Sequence, residues 1–342
     1  MIAQIDLAAD YRISRLIKGG WHLAGGHGPV DAAQARRDMA EFVNAGFTAF
    51  DCADIYTGVE EMIGGFLREF PELGRRIRVH TKYVPDLDRL ATTDAAAVEA
   101  IIDRSLARLG QERLDLVQFH WWDYAVPRYV DVALELERLR RKGKVDRIGL
   151  TNFGTPQVRE IVAAGVPVFS HQVQYSLLDD RPAQGMVQYC LEHGIALLCY
   201  GTVAGGFLSE RWLGAADAPG PFDNRSLTKY RLIIEEFGGW PLFQELLRAL
   251  KAIADRHDCD IATVATRAML DRPGVAAAIV GATSTAHLGA HRQIGELQLE
   301  PTDLAVIASV TARSAGPTGD VYELERDRSG PHGRIMKYTL NR

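Results

Sequence analysis

The sequence is poor in cysteine and has no long apolar run. Its 342 residues include only Cys52, Cys190, Cys199 and Cys259. So few cysteines cannot form a disulfide scaffold in a chain of this length, and their spacing is not that of metal ligands. No apolar run approaches the length that spans a membrane, and the first six residues lack the charged start and apolar core of a signal peptide. We therefore expect a cytoplasmic protein with no membrane association and no metal site.

Two further absences narrow the class of protein. The net charge is −5, and the longest basic stretch, residues 138–144, is interrupted by Leu139 and Gly143. Binding to nucleic acid therefore has no electrostatic support. No Gly-x-Gly-x-x-Gly segment follows the first predicted strand, which disfavours a Rossmann-type dinucleotide fold. With 47% hydrophobic and 24% charged residues, the composition is that of an ordinary globular protein.

Strand-like and helix-like patterns alternate along the chain, which is typical of βα units around a parallel sheet. Eight strands are predicted, near residues 15–20, 47–51, 77–82, 114–120, 147–151, 168–173, 196–200 and 276–281. This order predicts an α/β fold, a closed (β/α)8 TIM barrel that forms a single domain over residues 1–342. Residues 205–239 are predicted to form a long loop after the seventh strand, and residues 313–342 a C-terminal extension. The long loop is read either as a lid over the site or as a surface loop that tolerates insertion.

Polar side chains follow three consecutive predicted strands. Asp51 and Tyr56 follow the second strand, Lys82 the third and His120 the fourth. The C-terminal ends of barrel strands are where enzymes of this fold keep their chemistry. We therefore predict a proton-transfer site there, formed by an acid, a phenol, an ammonium and an imidazole.

The four side chains have complementary chemical roles. A free tyrosine keeps its proton to about pH 10, and an ammonium such as Lys82 lowers that pKa while Asp51 keeps the lysine charged. His120 can donate a hydrogen bond to a carbonyl oxygen, and Tyr56 can then protonate that oxygen as a hydride arrives on the carbon. Taken singly, each residue also has a purely structural explanation. Asp51 would then be a helix cap and Tyr56 a loop aromatic. Lys82 would be a solvated strand end and His120 a core histidine.

Two motifs resemble those of the aldo-keto reductase superfamily. Residues 50–56 read Phe-Asp-x-Ala-x-x-Tyr and lead into Glu-Glu-Met-Ile-Gly at 60–64, and residues 106–116 are similar to the second family signature. The resemblance extends from Gly19 to about Ala312. It implies a nicotinamide-dependent oxidoreductase that interconverts a carbonyl compound (an aldehyde, a ketone or a sugar) and its alcohol. The implied catalytic residues are Asp51, Tyr56, Lys82 and His120.

The resemblance also implies where the cofactor binds. Residues 149–153 look like the family segment whose hydroxyl and amide hold the nicotinamide carboxamide, and residues 279–284 look like the turn that binds the adenosine phosphate. The implied cofactor-binding residues are Thr151, Asn152, Gln172, Tyr200, Gly201, Gly281, Ala282, Thr283, His287 and His291.

The adenosine-phosphate segment departs from the family pattern. Relatives usually place a cation there, whereas residues 281–286 contain none, His287 stands where an arginine is common, and Ala290 and His291 replace a Glu-Asn pair. A mostly neutral imidazole does not replace the bidentate fork of an arginine. The resemblance implies NADPH (NADP) as the cofactor, with NADH (NAD) as the alternative. Because the cations are missing, we expect weaker selectivity for NADPH over NADH than is usual in the family.

Three tryptophans are expected beside the catalytic mouth. Trp21, Trp121 and Trp122 would form an aromatic wall that suits a small carbonyl or alcohol substrate, although one of the adjacent pair is expected in the core. In similar proteins the C-terminal segment crosses the mouth of the barrel and shapes substrate choice.

Two other functions are compatible with the same residues. One is a cofactor-binding regulatory subunit without significant turnover, although no signature of a protein partner is visible. The other is a lyase or epimerase that uses the cofactor transiently and has no net redox change.

Overall fold

The barrel is built from parallel strands that neighbour one another in chain order. The computed structural model describes residues 2–25, 28–217, 220–222, 224–282 and 284–341. Its strands are β1 (Gln4–Ala8), β2 (Tyr11–Ser14), β3 (Leu16–Gly19), β4 (Ala49–Asp51), β5 (Arg78–Tyr83), β6 (Leu114–Phe119), β7 (Val145–Thr151), β8 (Val168–Gln174), β9 (Ala196–Tyr200) and β10 (Val275–Gly281). Within the described residues, β3 to β10 form a closed barrel in which β10 pairs with both β9 and β3. The predicted (β/α)8 barrel is thereby confirmed.

Helices cover the outside of the barrel. They are α1 (Ala32–Asn44), α2 (Val59–Glu69), α3 (Pro71–Gly74), α4 (Ala95–Leu109), α5 (Tyr129–Arg141), α6 (Thr155–Ala163), α7 (Met186–Glu192), α8 (Arg225–Phe237), α9 (Gly239–Arg256), α10 (Ile261–Leu270), α11 (Leu288–Glu296), α12 (Pro301–Thr311), α13 (Glu323–Arg326) and α14 (Pro331–Arg334). The carboxylates of Asp31, Asp94 and Asp260 accept hydrogen bonds from first-turn N–H groups and so begin α1, α4 and α10. No described helix is both long and apolar enough to cross a membrane.

The hairpin of β1 and β2 packs into the N-terminal end of the barrel. Tyr11 and Ile13 join Leu116 and Leu198 in the core inside the barrel, and the Tyr11 ring meets the Phe169 ring edge-on, with 5.0 Å between centroids. The sequence did not predict this hairpin because its strands are short and β1 is only partly buried. With this end filled, a ligand can enter at the opposite end, where the strands finish.

The prediction of a long loop over residues 205–239 is wrong, because the described part of this segment contains α8. The Asn224 side chain begins the helix by accepting a hydrogen bond from the Leu227 N–H at 3.0 Å. Tyr230, Ile233, Ile234 and Phe237 are buried. Their spacing is that of one helix face, and burial of this face where α8 packs on α9 and on residues 204–206 explains why the segment is helical.

The C-terminal extension is anchored by a network of four charged side chains, three of them buried and the fourth, Lys229, partly buried. Arg181 donates to Asp179 at 2.9 and 2.7 Å and to Glu325 at 3.1 and 3.3 Å. The Lys229 ammonium lies 3.6 Å from Glu325. Burial opposes the charge on Glu325, but Arg181 and Lys229 outweigh it and lower the pKa of this carboxyl to about 2. The network therefore ties α8 and α13 to the segment that follows β8.

We expect Glu325→Gln to destabilise the protein by about 3–5 kcal/mol, the range typical when one partner of a buried ion pair is removed. Arg181 would stay buried with Asp179 as its carboxylate partner, and the partly buried Lys229 would lose the carboxylate beside it. Urea unfolding followed by circular dichroism measures the loss. Glu323→Gln is the matched control, since Glu323 lies on the same short helix but is exposed. Equal unfolding midpoints for the two variants would contradict the anchoring role of the network.

Candidate active site

A cavity of about 300 Å³ lies at the C-terminal ends of the barrel strands. Asp51, Tyr56, Lys82 and His120 all line it, so the fold brings together the four side chains that the sequence singles out. The C-terminal extension completes the wall with Tyr322, Ile335, Met336, Lys337 and Leu340. A concave, mostly apolar wall with a few converging polar groups is typical of a small-molecule site.

The Asp51 carboxylate is the centre of the polar network on the floor of this cavity. Lys82 Nζ donates to its two oxygens at 2.9 and 2.7 Å and to the Cys52 carbonyl at 2.9 Å. The amides of Gln118 and Gln172 donate to the same carboxylate at 3.0 and 2.6 Å. Burial on its own would lower the pKa of Lys82, but the adjacent Asp51 carboxylate raises it above its usual value. Lys82 therefore stays charged.

Tyr56 lies over this ion pair. Lys82 Nζ is 4.9 Å from the centroid of the phenol ring, and the Trp21 ring meets the phenol edge-on at 5.0 Å. Burial raises the pKa of Tyr56, and the charge of Lys82 opposes that rise without cancelling it. The lowering effect of Lys82 that the sequence predicted is present, but the desolvation of the phenolate is the larger effect. Tyr56 is consequently protonated at neutral pH and can act as an acid.

His120 is held by the backbone of β7. Its Nδ1 lies 3.1 Å from the Thr151 carbonyl oxygen, and the rings of Trp122 and Tyr322 pack edge-on at 4.3 and 5.5 Å. Burial, and secondarily the charge of Arg326, lowers the pKa of His120 to about 3, so the ring is neutral. Nε2 has no hydrogen-bond partner among the described residues. The contact of His120 with a substrate carbonyl oxygen stays a prediction.

Three side chains beside His120 fit the carboxamide of a nicotinamide. The buried hydroxyl of Thr151 has no hydrogen-bond partner among the described residues. The Gln172 side-chain amide donates to Asp51 and to Gln118. Its side-chain oxygen is therefore the group that can bind a ligand. Asn152 has a left-handed backbone, with φ of 61°, and its side-chain oxygen accepts from the Tyr200 hydroxyl at 2.9 Å. Together these groups supply the hydroxyl and amide functions that a carboxamide requires.

Two glycines line the cavity where the resemblance places the rest of the cofactor. Gly201 has φ of 80°, and a Cβ there would lie 2.5 Å from the Tyr230 hydroxyl, so a larger residue would narrow the cavity or displace Tyr230. Gly281 lines the cavity at the end of β10. Ala282 follows it and is buried, while Thr283 lies outside the described residues.

The two histidines expected near the adenosine phosphate have different surroundings. His287 is exposed and remains a candidate ligand. His291 is buried, with its ring centroid 6.2 Å from that of Phe42 and 5.6 Å from that of Phe47. Burial, then His287 and Lys18, lowers the pKa of His291 to about 4. The assignment of His291 to the cofactor is therefore wrong, because its neutral ring packs in an aromatic core.

The three tryptophans divide between the cavity and the core. Trp21 and Trp122 line the cavity. Trp121 is fully buried, and its indole N–H donates to the carbonyls of Asp123 and Val126, each at 3.0 Å. The prediction of a substrate-contacting Trp121 is wrong, since this side chain satisfies its polar group inside the protein.

Arg326 is a site residue that sequence reasoning missed. Its guanidinium donates to the Asn152 carbonyl at 2.6 Å and to the Trp121 carbonyl at 3.1 Å, and it stacks 4.2 Å from the Tyr124 ring centroid. The C-terminal extension thus holds the strained backbone of Asn152 in place. No sequence signal pointed to Arg326, because it lies beyond the segment that resembles the family.

Comparison with known proteins identifies the family. A model of the Aldo/keto reductase family matches residues 15–312, so the chain belongs to this family and is a nicotinamide-dependent oxidoreductase. It is 31% identical over 257 residues to flagellar radial spoke protein 5 of Chlamydomonas reinhardtii, covering 64% of this chain but only 49% of that protein. It is 26% identical over 302 residues to aldo-keto reductase YhdN of Bacillus subtilis, covering 85% of this chain and 87% of the relative.

A solved structure shares the fold over most of its length. The glycerol dehydrogenase of Gluconobacter oxydans superposes with a TM-score of 0.77 at 22% identity, and the match covers 91% of this chain and 95% of that one. At this level of identity the likeness concerns the barrel and leaves the substrate open.

We expect Lys82→Met to lose most activity and to shift any remaining alcohol oxidation to higher pH. Without the ammonium, nothing opposes the effect of burial on the pKa of Tyr56, so the phenolate forms only in more alkaline solution. A pH profile of the oxidation rate checks this, with circular dichroism to confirm folding. A small loss of rate with an unshifted profile would show that Lys82 does not act through Tyr56.

Proposed function

We propose that the protein interconverts a small carbonyl compound and its alcohol, with Tyr56 as the residue that gives or takes the proton. The supporting observation is one cavity that holds the neutral phenol of Tyr56 and the Asp51–Lys82 ion pair, with Lys82 Nζ 4.9 Å from the centroid of the phenol ring. The same cavity holds the Thr151 hydroxyl, which has no hydrogen-bond partner among the described residues. Hydride transfer to a carbonyl requires an acid, a charge that stabilises the conjugate base of that acid, and a site for the nicotinamide carboxamide. A cytoplasmic location and a small-molecule partner belong to the same proposal.

Each of these side chains has its own role in the reduction. A bound reduced nicotinamide supplies the hydride. Tyr56 donates its proton to the carbonyl oxygen as negative charge develops there. Lys82 stabilises the phenolate that remains, and Asp51 keeps the ammonium charged and fixed. In alcohol oxidation the phenolate accepts the hydroxyl proton, so the same ion pair serves both directions.

Replacing Tyr56 with phenylalanine tests the proton donor. We expect Tyr56→Phe to lower kcat by about 10²–10⁴-fold, the usual contribution of a general acid, because the variant has no proton to give. Binding of the nicotinamide cofactor, measured by quenching of tryptophan fluorescence, should change little. Near-native turnover in the folded variant would remove Tyr56 from the mechanism.

We propose NADPH as the cofactor, with less selectivity over NADH than is usual in the family. Residues 281–286 contain no cation, and His291 is buried away from any ligand. Arg231 is engaged by Asp217 at 2.6 Å and by Glu235. Among the described residues, Arg225, which lines the cavity, His287 and Arg292 are candidates to bind a 2′-phosphate.

The dissociation constants of NADPH and NADH, measured between pH ~6 and ~8, test this selectivity. Each charge-assisted contact contributes about 1.5–3 kcal/mol, and an imidazole changes charge over this pH range. We expect a modest NADPH preference that weakens as the pH rises over this range. A preference above about a thousandfold, roughly 4 kcal/mol, that does not depend on pH would show that other cations complete the site.

A further inference from the structure

The ammonium of Lys229 has only long polar contacts in the wall of the cavity. Lys229 lines the cavity, and its side chain is 14% exposed. Its Nζ lies 3.5 Å from the Tyr200 hydroxyl and 3.6 Å from the Glu325 carboxylate. Hydrogen bonds from an ammonium to a carboxylate are usually about 2.7–2.9 Å long. The ammonium therefore retains hydrogens that can be donated to a ligand at a shorter distance.

Lys82, on the floor of the same cavity, is compensated more completely. Its Nζ donates to Asp51 at 2.9 and 2.7 Å and to the Cys52 carbonyl at 2.9 Å. Burial on its own would lower the pKa of Lys82, but Asp51 raises it above its usual value. Burial also lowers the pKa of Lys229, and the more distant Glu325 does not restore it. An anion closer than Glu325 would therefore stabilise the Lys229 ammonium.

Glu325 is held at its distance from Lys229 by a second cation. Arg181 donates to the Glu325 carboxylate at 3.1 and 3.3 Å. The network as a whole contains two cations and two anions, so its charges cancel and it does not repel an anionic ligand. The wall around Lys229 can thus accept one further negative charge.

The other charges of the cavity also favour an anion. The lining includes Arg225 and Lys337 in addition to the two lysines above. Asp51 is the one carboxylate among the described lining residues, and Lys82 already donates to both of its oxygens. A cavity lined mainly by charges of one sign attracts ligands of the opposite sign. The ligand that fits Lys229 is therefore an anionic group.

The surroundings of Lys229 indicate that the substrate carries this group. The ammonium lies 5.4 Å from the centroid of the Tyr322 ring. That ring packs edge-on against His120, one of the four converging polar side chains, with 5.5 Å between centroids. On its other side Lys229 contacts Tyr200, beside the site that fits the nicotinamide carboxamide, and a carboxamide is neutral. The anion thus belongs with the molecule that reacts next to Tyr56.

We propose that Lys229 binds a carboxylate of the substrate and thereby selects carbonyl compounds that carry an acid group. A carboxylate has a single negative charge, which matches one ammonium. The preferred substrates are then oxo acids, and the corresponding hydroxy acids in the direction of oxidation. This proposal rests on the proposed function and names the substrate class that the same site takes.

A pair of aldehydes tests this selectivity. 4-Carboxybenzaldehyde and 4-formylbenzamide differ in charge but have nearly the same size. The readout is the ratio of kcat/KM for the acid to that for the amide, with NADPH as the cofactor. We expect the wild-type protein to prefer the acid. Lys229→Met should lower the ratio about tenfold or more, the usual contribution of a hydrogen bond to a charged group, whereas Lys229→Arg should retain most of it.

Lys337→Met is the matched control for this experiment. It removes an exposed ammonium from the same cavity, where solvent screens the charge, so the ratio should change little. If Lys229 binds the cofactor instead, Lys229→Met weakens NADPH binding and slows both aldehydes equally, which overturns the proposal. An unchanged ratio in a variant with a lowered unfolding midpoint also overturns it, because Lys229 then acts only in the anchoring network.

Binding to the wild-type protein provides a test that needs neither a variant nor turnover. An alcohol cannot react while NADPH is bound, because the reduced cofactor accepts no hydride. Isothermal titration calorimetry of this complex compares 4-(hydroxymethyl)benzoate with 4-(hydroxymethyl)benzamide. We expect the benzoate to bind about tenfold more tightly or better, and equal affinities overturn the proposal. No consumption of NADPH with any carbonyl compound would count against the proposed function, and the calorimetry would still decide whether the cavity selects an acid group.

Discussion

The buried carboxylate of Asp51 is the interaction that positions the rest of the site. A carboxylate removed from water is costly unless charge and hydrogen bonds compensate it, and here they come from the ends of β5, β6 and β8. Lys82, Gln118 and Gln172 all donate to it. The same bonds fix the ammonium beneath Tyr56 and leave the Gln172 oxygen for a ligand. One anion thus sets the geometry of the proton donor and of the nicotinamide site together.

The C-terminal extension forms part of the cavity wall and contacts both the expected carboxamide site and the expected substrate position. Arg326 holds the Asn152 carbonyl, beside the expected carboxamide site, while Tyr322 packs against His120, where the substrate is expected. Both residues flank Glu325, whose buried pairing with Arg181 anchors the segment. Because the anchor and the contacts share a few consecutive residues, changes in this segment would affect cofactor and substrate binding together.

The sequence predicted those parts of the structure that depend on local pattern. Buried parallel strands are apolar runs, so β9 was predicted with its observed ends. Features set by distant contacts could not be predicted in this way. The contact that holds the His120 ring is with the Thr151 carbonyl, 31 positions along the chain, and the burial of His291 depends on rings from α1 and the segment that follows it. The four polar residues at the strand ends were predictable because the fold fixes where strands finish.

Transfer of isotope from the cofactor tests the central claim most directly. Reduced nicotinamide cofactor carrying deuterium at C4, in each of its two configurations, would be incubated with the protein and a carbonyl compound that it converts. We predict that one configuration delivers one deuterium to the former carbonyl carbon for each cofactor oxidised. Product that forms without label, or without consumption of cofactor, would contradict hydride transfer as the function of this site.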